Sequence, residues 1–99
     1  MIVAAQCRAG RALIGWSIKR LSDEAHVAWE KIAAFENDDL DLERTTVDTL
    51  QLTLERGGVQ FMPEGKLRGA GVRLKFSRLI IKRIDVWENE GGRAGEDDL

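Results

Sequence analysis

Residues 16–37 read WSIKRLSDEAHVAWEKIAAFEN, and the next six, 38–43, read DDLDLE. Ser17 is a good helix N-cap, because its side-chain oxygen can accept from a backbone N–H that the first turn leaves without a partner. Ile18, Leu21 and Ala25 then recur at the three- and four-residue spacing that lines one helix face. The pattern breaks near His26 and resumes over residues 28–36, where Ile32 and Phe35 are expected to point inward. His26 suits the break, since His tolerates positive φ more readily than most residues. The expectation is two short helices around a tight turn, with the small side chain of Ala25 where they cross.

Working outward, AAQCRAGRALIGW (residues 4–16) puts Ala5, Ala9, Ala12, Leu13 and Trp16 on one helical face, with Arg8 and Arg11 on the other. Gly15 is expected to end this first helix. Downstream, the carboxylates of residues 36–43 read as a solvated acidic loop. They lack the glycine and the terminal bidentate Glu of a calcium loop. Thr45 or Thr46 is expected to cap a fourth helix, whose Val47, Leu50 and Leu54 share a face and which Gly57-Gly58 stops. The period then changes to two. Val59 and Phe61, and later Val72, Leu74 and Phe76, alternate with polar positions, so strands are expected at 59–62 and 71–76 with a Gly-containing hairpin loop between them. The helices of residues 1–57 and the hairpin of 58–76 form one folding unit. Residues 77–90 suit a short helix or strand. The Gly-rich acidic residues 91–99 are expected to be a disordered tail.

Ninety-nine residues make one domain, and 43% apolar with 32% charged residues is a globular composition. The single cysteine, Cys7, cannot form an intramolecular disulfide, which fits a reducing cytoplasm. No apolar run is long enough to suggest a membrane span or a signal peptide. Net charge is −2; residues 88–99 hold five acids and one base, which leaves residues 1–87 at about +2. A typical DNA-binding domain is more basic. His26 is the only histidine and has no cysteine partner at ligand spacing, so a metal site is not expected. No nucleophile–base pair stands out, so neither an enzyme nor a cofactor is expected.

The segments AQCRAGRALIGWS (5–17), RLSDEAHVAWEKIAAFEN (20–37), TTVDTLQLTLERGGVQFMPEG (45–65) and GAGVRLK (69–75) together resemble the short helix-turn-helix regulators of the XRE (phage repressor and Cro) family. The likeness is to the alpha-proteobacterial form with a C-terminal β-hairpin, and it covers residues 3–75. It implies a mostly α fold, a four-helix XRE/Cro-like helix-turn-helix domain followed by a β-hairpin and a short extra element. It also implies a DNA-binding transcriptional regulator that acts as a homodimer on a double-stranded operator.

The resemblance places base-reading positions at Trp29, Glu30, Ala33 and Ala34, with Lys31 within reach of a phosphate. Arg8, Arg11, Lys19 and Arg20 are further phosphate candidates. Glu can accept from a cytosine amine and Ala can touch a thymine methyl. Three positions depart from the family pattern. Ile18 stands where Gln is usual, His26 where Gly is usual, and Ala28 where Ser or Thr is usual. Asp38, Asp39, Asp41 and Glu43 occupy a loop that normally approaches the DNA backbone. The alternative reading is therefore a degenerate helix-turn-helix protein that binds another protein, such as an anti-activator, through Trp29, Ile18 and the acidic loop.

Overall fold

The computed structural model describes residues 1–75. Four helices come first: α1 (Ala4–Ile14), α2 (Ile18–Ala25), α3 (Trp29–Glu36) and α4 (Arg44–Arg56). Two antiparallel strands follow, β1 (Val59–Met62) and β2 (Gly71–Leu74). The helix or strand expected over 77–90 and the tail over 91–99 lie outside the described residues.

The two helices read from residues 16–37 form as their local chemistry dictates. The Ser17 side chain accepts from the Arg20 backbone N–H at 2.9 Å, capping α2. At the other end His26 adopts the left-handed conformation (φ 59°, ψ 41°) and donates its N–H to the Ser22 carbonyl at 2.9 Å. The Ser22 hydroxyl donates to the Val27 carbonyl at 2.6 Å, which holds the link to α3 closed. Leu21 and Ile32 are fully buried, and Ala25 and Phe35 nearly so.

The buried face of α1 differs from the expected one. Ala4, Gln6, Cys7 and Gly10 face inward, while Ala5 and Ala12 are exposed and Ala9 and Leu13 are half-buried. Counting alanines missed the face because it is set by long-range partners: Phe61 lies over Gly10, and Gln6 and Cys7 are bonded to the hairpin and to Glu36. A Cβ on Gly10 would stand 3.1 Å from Cζ of Phe61. Gln6 binds both ends of that contact. Its Oε1 accepts from Val3 N–H at 3.0 Å, and its Nε2 donates to the carbonyls of Met62 (3.2 Å) and Gly71 (2.8 Å). Buried polar side chains persist where such partners exist. Gly15 ends α1 at φ 70°, with Trp16 N–H reaching back to the Arg11 carbonyl at 2.9 Å.

Helix α4 buries Val47, Leu50, Thr53 and Leu54. It begins one residue before Thr45, with Glu43 at the cap position and no side-chain cap bond. The chain approaches through Leu42, which packs on the core and sets where the helix can start. In the hairpin, Val59 faces Leu74 and Phe61 faces Val72 across the register, so one face lies on the core. On the other face Arg73 Nε donates to Gln60 Oε1 at 3.0 Å. Strand β2 ends at Leu74, with Lys75 in a bend, and residue 76 of the expected strand lies outside the described residues. No helix among the described residues is long and apolar enough to cross a membrane.

The left-handed turn yields a test. An L residue at such a φ costs roughly 1–2 kcal/mol, offset for glycine by an entropic penalty of about 0.5–1 kcal/mol. His26→Gly should therefore raise the melting temperature slightly and His26→Val should lower it, as read by circular dichroism. A lower melting temperature for the glycine variant would mean that the imidazole contributes contacts of its own.

Candidate nucleic-acid interface

Helix α3 is fixed to the body along one side. Ile32, Phe35 and Glu36 lie three and four residues apart and are all buried. Glu36 is the unexpected member. It was grouped with the solvated carboxylates of 36–43, yet it is only 3% exposed and faces α1. Its Oε1 accepts from Arg11 Nη2 at 2.7 Å and its Oε2 from Arg11 Nε at 2.9 Å, a two-pronged ion pair. The Cys7 thiol donates to Oε2 at 3.3 Å, and Arg8 donates to the Glu36 main-chain carbonyl. Arg11 Nη1 also donates to the Trp16 carbonyl at 3.0 Å.

This arrangement changes the list of phosphate candidates. Arg11 is turned into the fold with its fork on Glu36, so it is withdrawn as a phosphate contact. Arg8 is likewise engaged at the end of α3. The hydrogen bonds that Arg11 donates to the Glu36 carboxylate raise its pKa and keep the guanidinium charged. Burial, reinforced by the Glu36 charge, pushes the Cys7 thiol well above its ordinary range. The signal for Glu36 was present in the helix period, because Ile32 plus four is Glu36. The partner, 25 residues earlier, carries no local signal.

The outer side of α3 presents Trp29, which is 55% exposed, together with exposed Glu30 and Lys31. Ala33 and Ala34 are half-buried at its flanks. Ala28 precedes the helix without a side-chain cap, where Ser or Thr would supply one. On α2, Lys19 is exposed. Arg20 stacks over Trp16, 4.5 Å from the ring centroid, and pairs with Glu24 at 3.0 Å. The stack fixes the guanidinium close to the body. Ile18 is half-buried against the core, so it does not extend an exposed apolar patch around Trp29 as expected.

Beyond α3 the chain turns at Asp38, which holds φ 62°, a conformation Asp tolerates better than most residues. Asp38, Asp39, Asp41 and Glu43 are all exposed on this loop. Among the described residues no three metal-ligating side chains are gathered. The expected acidic loop is thus present from residue 38 onward, two residues after Glu36, the one acid of the run that is buried.

No protein-family model matches this sequence. No curated protein matches it.

The Cys7 thiol is completely inaccessible and bonded to Glu36. Its reaction with Ellman's reagent in the native protein should be slower than that of an unfolded control by a factor of ~10³ or more, since reagent meets thiolate only after opening. A native rate equal to the unfolded one would contradict this packing.

Proposed function

We propose that this chain is a small, non-enzymatic DNA-binding transcriptional regulator of the cytoplasm, built on an XRE-type helix-turn-helix and acting as a homodimer. The observation that carries the reading is the mounting of α3: its inner side is fixed by Ile32, Phe35 and Glu36, which leaves Trp29, Glu30 and Lys31 outward. A short helix held at one side and free at the other fits a major groove. Glu30 and Ala33 are the base-reading candidates, with Trp29 and Ala34 beside them. Lys19 and Lys31 are the phosphate candidates, and Arg20 would contribute only by leaving its stack on Trp16. A two-stranded sheet is marginal alone and has outer edges that a second copy can pair with.

The acidic loop limits affinity. Phosphate contacts supply much of the binding energy of such proteins, and Asp38, Asp39 and Asp41 oppose any backbone they approach. A second reading has its own support in the 55% exposure of Trp29, since aromatic side chains are enriched in protein interfaces. In that reading α3 docks a partner protein.

Anisotropy titration against a pool of random duplexes separates the two. With two lysines as contacts, log K should fall against log salt with a slope of about −2, from the ~0.9 per phosphate rule. Asp39→Asn with Asp41→Asn should tighten binding to all sequences alike, whereas Glu30→Ala should shift sequence preference. Sedimentation at micromolar concentration should show a dimer. Lack of any duplex binding at low salt would remove the DNA reading and leave the Trp29 interface as the one to pursue.

A further inference from the structure

Positive charge is unevenly placed along the described chain. Residues 1–62 hold ten acids and seven bases, whereas residues 63–75 hold one acid, Glu64, and four bases. The chain up to the end of β1 is thus acidic and the rest of the hairpin basic. The loop of the hairpin, residues 63–70, is exposed throughout, and its root is fixed. Met62 and Gly71 face each other as the last pair of the ladder, and Gln6 Nε2 on α1 donates to both of their carbonyls, at 3.2 and 2.8 Å. Pro63 follows at once and has no N–H with which to extend the ladder. At the far end Gly65 donates its N–H to the Arg68 carbonyl at 2.8 Å, which folds the chain back and leaves Lys66 and Leu67 at the tip. Leu67 is 96% exposed. Arg73 is bonded to Gln60 and Lys75 to the Glu55 carbonyl, but among the described residues no hydrogen bond or ion pair engages the side chains of Lys66 and Arg68.

We propose that this tip is a second contact for duplex DNA, in which Lys66 and Arg68 lie on phosphates and Leu67 rests in the groove between them. The inference deepens the DNA reading above and rests on it. A duplex carries one negative charge per ~1.7 Å of axis, so two uncommitted cations on a clamped mount meet phosphates with little rearrangement. Leucine is among the apolar side chains that minor-groove proteins set against base steps. The tip also doubles the supply of cations, since the helices offer only Lys19 and Lys31 with side chains exposed for the purpose. A lipid surface is the weaker host. Stable anchoring there takes two strong signals, such as two acyl chains or one chain with a polybasic patch, and a single leucine between two cations falls short of that.

Anisotropy of the full chain against random duplexes reads the tip separately from α3. With Lys66 and Arg68 added to Lys19 and Lys31, the slope of log K against log salt should steepen to about −3.6, and affinity should fall about 150-fold between 50 and 200 mM salt, from the ~0.9 per phosphate rule. Lys66→Gln with Arg68→Gln should return the slope to about −1.8 and the fall to about 12-fold. These side chains are exposed, so the melting temperature of the variant should not move. Leu67→Ala should weaken binding at an unchanged slope, because it removes apolar contact and no charge; equal affinity would overturn the seating of Leu67. A wild-type slope of about −1.8 that the tip variant leaves alone would overturn the tip and leave the α3 reading standing. Binding that the tip variant abolishes, and that Lys19→Gln with Lys31→Gln leaves untouched, would keep the tip and remove α3. Lack of any duplex binding at low salt would remove both. Binding to phosphatidylserine vesicles that duplex DNA does not compete away would assign the tip to a lipid surface and overturn the proposal.

Discussion

The ion pair between Arg11 and Glu36 is the constraint on which the placement of α3 depends. A carboxylate that is 3% exposed cannot stay charged inside a small domain without a partner, because removing it from water costs several kcal/mol. Arg11 meets it with two parallel N–H donors, Cys7 adds a thiol, and Arg8 binds the carbonyl of the same residue. Arg11 also holds the Trp16 carbonyl, so the end of α1, the entry to α2 and the end of α3 converge on one guanidinium. Such pairs add little net stability over well-packed apolar residues, but one partner left alone is costly. The pair therefore acts on specificity: α3 has one orientation in which Glu36 is satisfied, and that orientation turns Trp29 and Glu30 outward.

The electrostatics of the outward side follow from the same arrangement. Arg11 is drawn into the fold on Glu36, exposed Arg8 is tied to the Glu36 carbonyl, and Arg20 lies across Trp16. Lys19 and Lys31 remain exposed, as do Asp38, Asp39, Asp41 and Glu43.

Much of the architecture was legible where a few neighbouring residues decide it. Ser17 caps α2, His26 takes the left-handed turn, Leu21, Ile32, Val47, Leu50 and Leu54 are buried, and Val59, Phe61 and Val72 pack on the core. The misses are all long-range. The buried side of α1 is set by Phe61 lying over Gly10, a contact 51 residues apart that no alanine count anticipates. The start of α4 is set by where Leu42 packs rather than by the nearest threonine. Arg11 looked like a surface cation because its partner lies two helices away, and Glu36 was hidden among acids that do face water. In the candidate interface, Trp29, Glu30, Lys31 and Lys19 were named through the resemblance, whereas the surroundings of Arg11, Arg8 and Ile18 could be read only from the packed fold.

A double-mutant cycle on Arg11→Met and Glu36→Leu, followed by urea denaturation, tests the central constraint directly. If the pair fixes α3, each single variant strands a charge and loses about 3–5 kcal/mol, while the double variant recovers much of that loss, giving a coupling of roughly 2–3 kcal/mol. Single losses below about 1 kcal/mol, or losses that simply add in the double variant, would show that Arg11 and Glu36 do not hold the helix.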